Sequence, residues 1–479
     1  MKRTKFSFQY WQWETIIATM IGYALFYFVR KNFSLAMPGL QAEFGISKVE
    51  LGLFLTLHGV IYGLSRFANG IISDRGSARI VASLGLMLCA LVNIFFGFSD
   101  TAAEWVIAIA AKYGTTWAFT SVLVYIMGIV WIINGYCQGM GVPPITKILT
   151  HWIAPKELAT KMSIWNMSHS IGAGLVFGLC GWYIMPHLGV DVSGNSEMVA
   201  MITENLSKVE NANVVQFAQH FGAWRYCFII PAIFAMLGSI GIFFFVKNQP
   251  SDLGFPEVIE KSRAAASSEE QKAEYKALVR RKVFGNRLIW TLALANFFVY
   301  VVRFAFLDWG PMLLTESKGL SIALATTLCI VFEFVGGNIG MVVAGWLTDH
   351  LFKNKAHHTC FFCTLGALVA VLSFWFIPTS APWWVQMIPF TFIGFFIYGP
   401  QALLGVAAAN QATNKAAATA NGILGIFGYA STIISGAVFG VLIEAYGWDA
   451  AYMTAAVMAL LGMVTLLTMW TAKADSYGD

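Results

Sequence analysis

Tyr27-Phe28-Val29-Arg30, closed by Pro38, returns as Tyr300-Val301-Val302-Arg303, closed by Pro311. The offset is 273 residues for the arginines (303 − 30) and for the prolines (311 − 38). Each copy lies inside an apolar stretch long enough to cross a bilayer. An arginine at the centre of a membrane helix costs about 2.5–3.5 kcal/mol even on the lenient insertion scale, so it normally faces a protein interior or a wet cavity and has a task. Two of them at matching places in two halves point to one anion-binding site on a two-fold axis.

The rest of the chain reads as membrane. Of its 479 residues 58% are hydrophobic and 11% charged, with a mean hydropathy of +0.66, which excludes a soluble enzyme. Apolar runs of roughly 20 residues, each sufficient for a ~30 Å hydrocarbon core, fall at 14–38, 50–72, 80–97, 118–141, 161–185, 224–246, 288–313, 321–348, 359–377, 384–406, 416–440 and 449–471. These are numbered here as spans 1 to 12. Basic residues gather in alternate loops: Lys2, Arg3 and Lys5 before span 1, Arg75 and Arg79 after span 2, Lys147, Lys156 and Lys161 around the span 4–5 turn, Lys353 and Lys355 after span 8, and Lys415 after span 10. Positive loops stay inside, so both termini are expected on the cytoplasmic side. The first run is too long for a signal peptide, carries Arg30 and Lys31, and reads as an uncleaved span.

The net charge of +5 follows from these loops and implies no nucleic-acid partner. The seven cysteines sit almost entirely in apolar spans, where a thiol acts as a small hydrophobe. His357, His358, Cys360 and Cys363 imitate a metal cluster, yet no second ligand pair follows them, and no metal or cofactor is expected.

The chain divides near its middle. A polar segment links six spans to six, giving bundles at 1–246 and 288–479 and a cytoplasmic linker at 247–287 with a short surface helix. A second repeat supports the division: Gly70 to Gly76 ends span 2, Gly345 to His350 ends span 8, and Asp74 and Asp349 stand 275 apart (349 − 74). The small glycine is expected to let two helices approach closely, with the aspartate capping a helix end. Two homologous halves are how secondary transporters are built.

These residues resemble the major facilitator superfamily, and within it the organophosphate:phosphate antiporters: glycerol-3-phosphate transporters, hexose-phosphate transporters and the related hexose-phosphate sensor. Gly70 to Arg79 is similar to the superfamily's loop 2–3 signature. The matching strings run from Gly22-Tyr23-Ala24 through Arg30-Lys31-Asn32-Phe33, Gln138-Gly139-Met140-Gly141-Val142-Pro143-Pro144, Trp165-Asn166 with His169, Tyr300 through Asp308-Trp309, and Tyr398-Gly399-Pro400 to Gly425 through Tyr429. The resemblance implies an all-α polytopic membrane protein, with twelve transmembrane helices in two pseudo-symmetric six-helix halves around a central cavity.

The chemistry can be argued beside it. A phosphate monoester at neutral pH carries about 1.5 to 2 negative charges and three acceptor oxygens, and arginine's planar fork binds two oxygens at once. Arg30 and Arg303 neutralise the dianion. Tyr27 and Tyr300, three residues earlier on nearly the same helical face, donate hydrogen bonds or orient the guanidinium. Trp165, Asn166 and His169 share one face of span 5, and the resemblance makes His169 a substrate ligand. It also marks Tyr23, Tyr398 and Tyr429 as cavity tyrosines, and Lys31, Asp308 and Glu333 as gate residues that pair across the halves. His58, Tyr62 and Arg66 form one polar stripe on span 2; Arg66 stands where the bacterial transporters usually have lysine, and His58 where they have an apolar residue.

The expected function is exchange of a phosphorylated small metabolite for inorganic phosphate by alternating access, in the bacterial inner membrane, by a monomer. Substrate signals conflict: an uncharged span 11, Gly428 to Ile433, matches glycerol-3-phosphate carriers, whereas the strings around Tyr27 and Tyr300 are closer to hexose-phosphate members. Two alternatives stay open, a sugar-phosphate sensor with little flux and a proton-coupled small-anion symporter. No nucleophile and base set points to an enzyme. The stretches 98–117 and 186–222 have no reading from the sequence.

Overall fold

The computed structural model describes residues 6–258, 269–353, 355–412 and 416–472. Lys2, Arg3, Lys5 and Lys415 of the orientation argument, and residues 259–268 of the linker, lie outside the described residues. The structure is helical, and the described residues hold no strand beyond one isolated antiparallel bridge between Val190 and Phe221. Two compact units emerge: residues 1–50 with 57–262, and residues 51–56 with 263–479.

Among the described residues, ten helices are long and apolar enough to cross a membrane. They coincide with ten of the twelve spans. The other two are span 1, a 37-residue helix Phe8–Phe44, and span 5, Pro155–Gly178. Both are long enough to cross, but each is interrupted by polar side chains, Arg30-Lys31-Asn32 in one and Asn166 with His169 in the other. These two helices are those to which the sequence assigns most of the first half's ligands. That is what a polar lining requires of a helix that must still cross lipid.

In the first unit, span 1 packs against spans 5 and 6, and span 3 against spans 4 and 6. Span 2 (Lys48–Arg75) starts in a capping box, in which Ser47 Oγ accepts from Glu50 N at 3.2 Å and the Glu50 carboxylate accepts from Ser47 N at 2.8 Å, satisfying two otherwise orphaned donors. Span 3 ends at Gly97. A second helix, Ser99–Lys112, follows it directly and accounts for most of the 98–117 stretch; its Asp100 pairs with Arg225 at the start of span 6. The 186–222 stretch folds into short helices, among them Ser196–Asn205, whose Ile202 and Leu206 pack with Ala218 and with Ala42 of span 1 in a small core of their own.

In the second unit, span 7 (Arg287–Asp308) packs on spans 10, 11 and 12, and span 9 (Ala356–Phe376) on spans 10 and 12. A helix Gly310–Lys318 carries span 7 onward. Linker residues 269–279 form a helix, Glu269–Val279.

The internal repeat extends past the arginines into a pair of matching ties. Glu43 accepts from Gly222 N at 2.7 Å and from Trp224 Nε1 at 3.0 Å. Glu316, 273 residues later (316 − 43), accepts from Trp448 Nε1 at 2.9 Å. In each half the helix that follows the arginine is thereby fastened to the first turn of that half's last span. Both helices then stop at a glycine in the left-handed region, Gly45 at φ 64° and Gly319 at φ 65°, a conformation that favours glycine as the closing residue.

One expectation fails. A Cβ at Gly70 would meet Pro143 only at 3.9 Å, and one at Gly345 would meet nothing within 4 Å, so neither glycine marks a close helix crossing. The crossings lie deeper. Gly172 of span 5, for example, leaves no room for a Cβ against the backbone of Ala24. The turn after Gly70 is held instead by Lys147, whose ammonium donates to the carbonyls of Ser73 at 2.7 Å and Asp74 at 3.2 Å.

Candidate functional site

In the first unit Arg30 is half-buried, its guanidinium carbon 4.2 Å from the centroid of the Tyr62 ring and 5.5 Å from that of Tyr27. A cation over an aromatic face is attracted by the ring quadrupole, more strongly where water is excluded. Arg66, one turn after Tyr62 on span 2, approaches the same ring at 5.7 Å. Tyr62 therefore stands between two cations. The Tyr27 ring meets His169 edge-on at 5.7 Å, and Tyr23 stacks on Trp165 at 4.9 Å and 26°. Spans 1, 2 and 5 thus bring Arg30, Tyr27, Tyr23, Arg66, Trp165 and His169 into one neighbourhood. His169 is buried, with Nδ1 bonded to the carbonyl of Asn166. Asn166 is exposed. Lys31 is buried on the helix of Arg30. His58 is buried too, tilted against the Trp131 ring at 5.0 Å, with no hydrogen-bond partner at Nε2.

The helix that carries Arg30 is broken just before it. Val29 has φ −99° and ψ 21° inside an otherwise α-helical run. Its carbonyl receives Asn134 Nδ2 at 3.0 Å, Asn93 Nδ2 at 3.1 Å and Gln138 Nε2 at 3.3 Å, and Gln138 also donates to Phe26 O at 2.9 Å. Asn32 ties the cluster to span 6 by donating to Asn93 Oδ1 at 2.9 Å and to Cys227 O at 3.0 Å.

In the second unit Arg303 is buried among three rings, its guanidinium carbon 5.0 Å from the centroid of Tyr398, 5.4 Å from Phe304 and 5.7 Å from Tyr300. Glycines make room for those rings: a Cβ at Gly337 would lie 3.1 Å from Tyr398, and one at Gly428 would lie 3.4 Å from Tyr300. Glu333 is fully buried in a π-helical turn, Val331–Gly337, of span 8. Asp308 ends the span 7 helix, and Tyr429 is half-buried on span 11. Each unit therefore holds one of the two repeated arginines against aromatic rings, two of them tyrosines in each case.

The profile of the Major Facilitator Superfamily matches residues 19–435. The chain is 31% identical to a "Probable hexose phosphate transport protein" of Chlamydia trachomatis, over 98% of this chain and 94% of that protein. It is 33% identical to a "Glycerol-3-phosphate transporter" of Bacillus subtilis, covering 95% and 92%. It is 30% identical to the "Membrane sensor protein UhpC" of Escherichia coli, covering 97% and 94%. The chain belongs to the major facilitator superfamily, in its organophosphate:phosphate antiporter branch. Among solved structures the D-xylose-proton symporter superposes with a TM-score of 0.64 at 16% identity, covering 96% of this chain and 97% of that one; this shows the fold. An integral membrane protein of a transporter family follows, and with it the all-α superfamily fold of twelve helices in two six-helix halves.

Membership leaves the amide cluster to be explained from the residues themselves. Asn93 and Asn134 carry no part in the sequence reading above, and Gln138 enters it only inside a matching string. A signal was there: an amide in an apolar span must find a partner, because lipid offers none. Which partner it finds is decided only when three helices meet.

Proposed function

We propose that this protein is a secondary transporter of the bacterial inner membrane that exchanges a phosphorylated small metabolite, a sugar phosphate or glycerol-3-phosphate, for inorganic phosphate, with both termini in the cytoplasm. The observation that carries the reading is the repeat itself: Arg30 and Arg303, one in each half, each walled by tyrosines. The relatives named for hexose phosphate and glycerol-3-phosphate support it.

The chemistry proceeds from the charges. The two guanidiniums are the phosphate ligands, with Tyr27, Tyr300, Tyr398 and His169 as hydrogen-bonding neighbours and Tyr23, Trp165, Asn166, Tyr429 and Arg66 lining the path of the organic moiety. Empty, each arginine is a cation in a low-dielectric setting, which opposes occlusion; a bound dianion removes that obstacle and lets the halves rock. A carrier of this kind turns over loaded in both directions, hence exchange. Lys31, Asp308 and Glu333 are the gate residues of that motion, through ion pairs that break and re-form.

The test is uptake of labelled phosphate, glycerol-3-phosphate and glucose-6-phosphate into phosphate-loaded liposomes. Exchange that requires internal phosphate and is lost in Arg30→Ala and in Arg303→Ala is the expected result, and the competition order names the substrate. Sugar-phosphate binding without flux would instead make the protein a sensor, as its 30% identity to UhpC allows. Net uptake driven by a pH gradient without counter-phosphate would make it a proton-coupled symporter.

A further inference from the structure

Arg30 leaves its helix from a residue that follows a fixed break. A ψ of 21° at Val29 turns that residue's carbonyl out from the helix axis, and an outward carbonyl inside an apolar bundle needs a donor. Three are supplied, by Asn93 of span 3 and by Asn134 and Gln138 of span 4. A carbonyl oxygen has two lone pairs, so the cluster holds more donors than satisfying the carbonyl alone requires. All three amides are almost fully buried, with relative exposures of 0%, 0% and 2%. Asn93 Nδ2 also lies 2.9 Å from Cys89 O and 3.3 Å from Asn134 Oδ1, so its two hydrogens are shared among three acceptors that all hold it in place. The amide that holds Val29 is therefore itself held.

Polar groups in an apolar core are costly unless paired, and hydrogen bonds among them favour one geometry over others. Here the geometry favoured is that of the residue immediately before the arginine. We infer that Asn93, Asn134 and Gln138 are positioning residues for Arg30: by clamping the Val29 carbonyl they fix the direction in which the guanidinium leaves span 1 and keep it over the Tyr62 ring. The functional part of this inference rests on the reading of Arg30 as a phosphate ligand. None of the three is a ligand itself; each acts through the backbone.

The second half differs: Val302, at the matching position (29 + 273), lies inside the helix Arg287–Asp308.

Two measurements test the inference. The first is the structure, by cryo-microscopy in nanodiscs, of Asn134→Leu, Gln138→Met and the double variant Asn93→Leu/Asn134→Leu. With two of its three donors gone in the double variant, Val29 is expected to return toward helical dihedrals and Arg30 to leave the Tyr62 ring. The second is affinity for inorganic phosphate by calorimetry. The double variant is expected to bind at least about tenfold more weakly, since a displacement of an ångström can cost up to about a hundredfold at a preorganised site. Ser83→Ala is the control, because it cuts the Ser83 hydroxyl bonds to Ser239 between spans 3 and 6 without touching Val29. Should the double variant fail to fold, the single variants, each leaving two donors, carry the comparison with smaller displacements.

A Val29 break that survives with Arg30 still on Tyr62 overturns the inference. So does an equal loss of phosphate affinity in Ser83→Ala at equal melting temperature. If the wild-type protein binds no phosphate, the proposed function fails, and the position of Arg30 in the variants still decides whether the amides place it.

Discussion

The indole N–H of Trp224 donates to the carboxylate of Glu43 at 3.0 Å, joining the end of the span 1 helix to the start of span 6. The Gly222 N–H donates to that carboxylate's other oxygen, so Trp224→Phe keeps an aromatic ring and leaves one buried oxygen short of a partner. Such a loss costs about 1–3 kcal/mol. Unfolding in detergent should show it, and Trp448→Phe, which strips Glu316 of the matching donor, should cost a similar amount. If Trp224→Phe and Glu43→Gln combined are no less stable than either alone, the two residues act through one bond. Full additivity would refute the tie.

The Tyr62 ring lies 4.2 Å from the Arg30 guanidinium carbon. Tyr62→Phe keeps that face, whereas Tyr62→Leu removes a cation–π contact worth about 1–2 kcal/mol in a desolvated setting. Calorimetry is expected to find phosphate affinity nearly unchanged in the first variant and lowered about five- to thirtyfold in the second. Equal effects of the two would mean that the hydroxyl, not the ring, is what Arg30 requires.

Gly337 and Gly345 lie in the same span and answer oppositely to alanine. A Cβ at Gly337 would press on the Tyr398 ring from 3.1 Å, and that ring faces Arg303, whereas a Cβ at Gly345 meets nothing within 4 Å. Gly337→Ala should weaken phosphate binding by shifting the ring. Gly345→Ala should leave binding intact and even stabilise the helix by up to about 1 kcal/mol. A silent Gly337→Ala would show that the ring has slack.

All seven cysteines are free thiols and buried. A water-soluble maleimide should leave the folded protein almost unlabelled and react with seven sites after denaturation. Mass spectrometry distinguishes the two, and rapid labelling of the folded chain would mean that the packing of spans 3 to 6 or 8 to 9 opens readily.

The spans were legible because lipid imposes one length and one polarity on every crossing helix, and the paired arginines were legible because their cost in that setting demands a purpose. Glu43 and Glu316 obey the same 273-residue offset as the arginines, so their kinship could have been read from the chain. Their indole partners could not, since Trp224 and Trp448 stand 224 residues apart (448 − 224) and only the fold aligns them. Helix Ser99–Lys112 went unread because Asp100 and Lys112 interrupt the apolar pattern, and Asp100 finds its reason in Arg225. The Gly70 and Gly345 motif misled because a small residue permits a close crossing without requiring one. The break at Val29 lay beyond sequence altogether: no rule of local propensity places it in Phe28-Val29-Arg30, and the three amides that meet its carbonyl come from other helices.

That break gives the two halves different histories to tolerate. Copies of an ancestral unit that were still equivalent could trade substitutions freely, each change to one arginine's surroundings having a matching change in the other. Here the exchange is one-sided. The first arginine is leashed to residues on two further helices, so that a change at Asn93, Asn134 or Gln138 is felt at Arg30, whereas Val302, just before the second arginine, lies within the helix Arg287–Asp308.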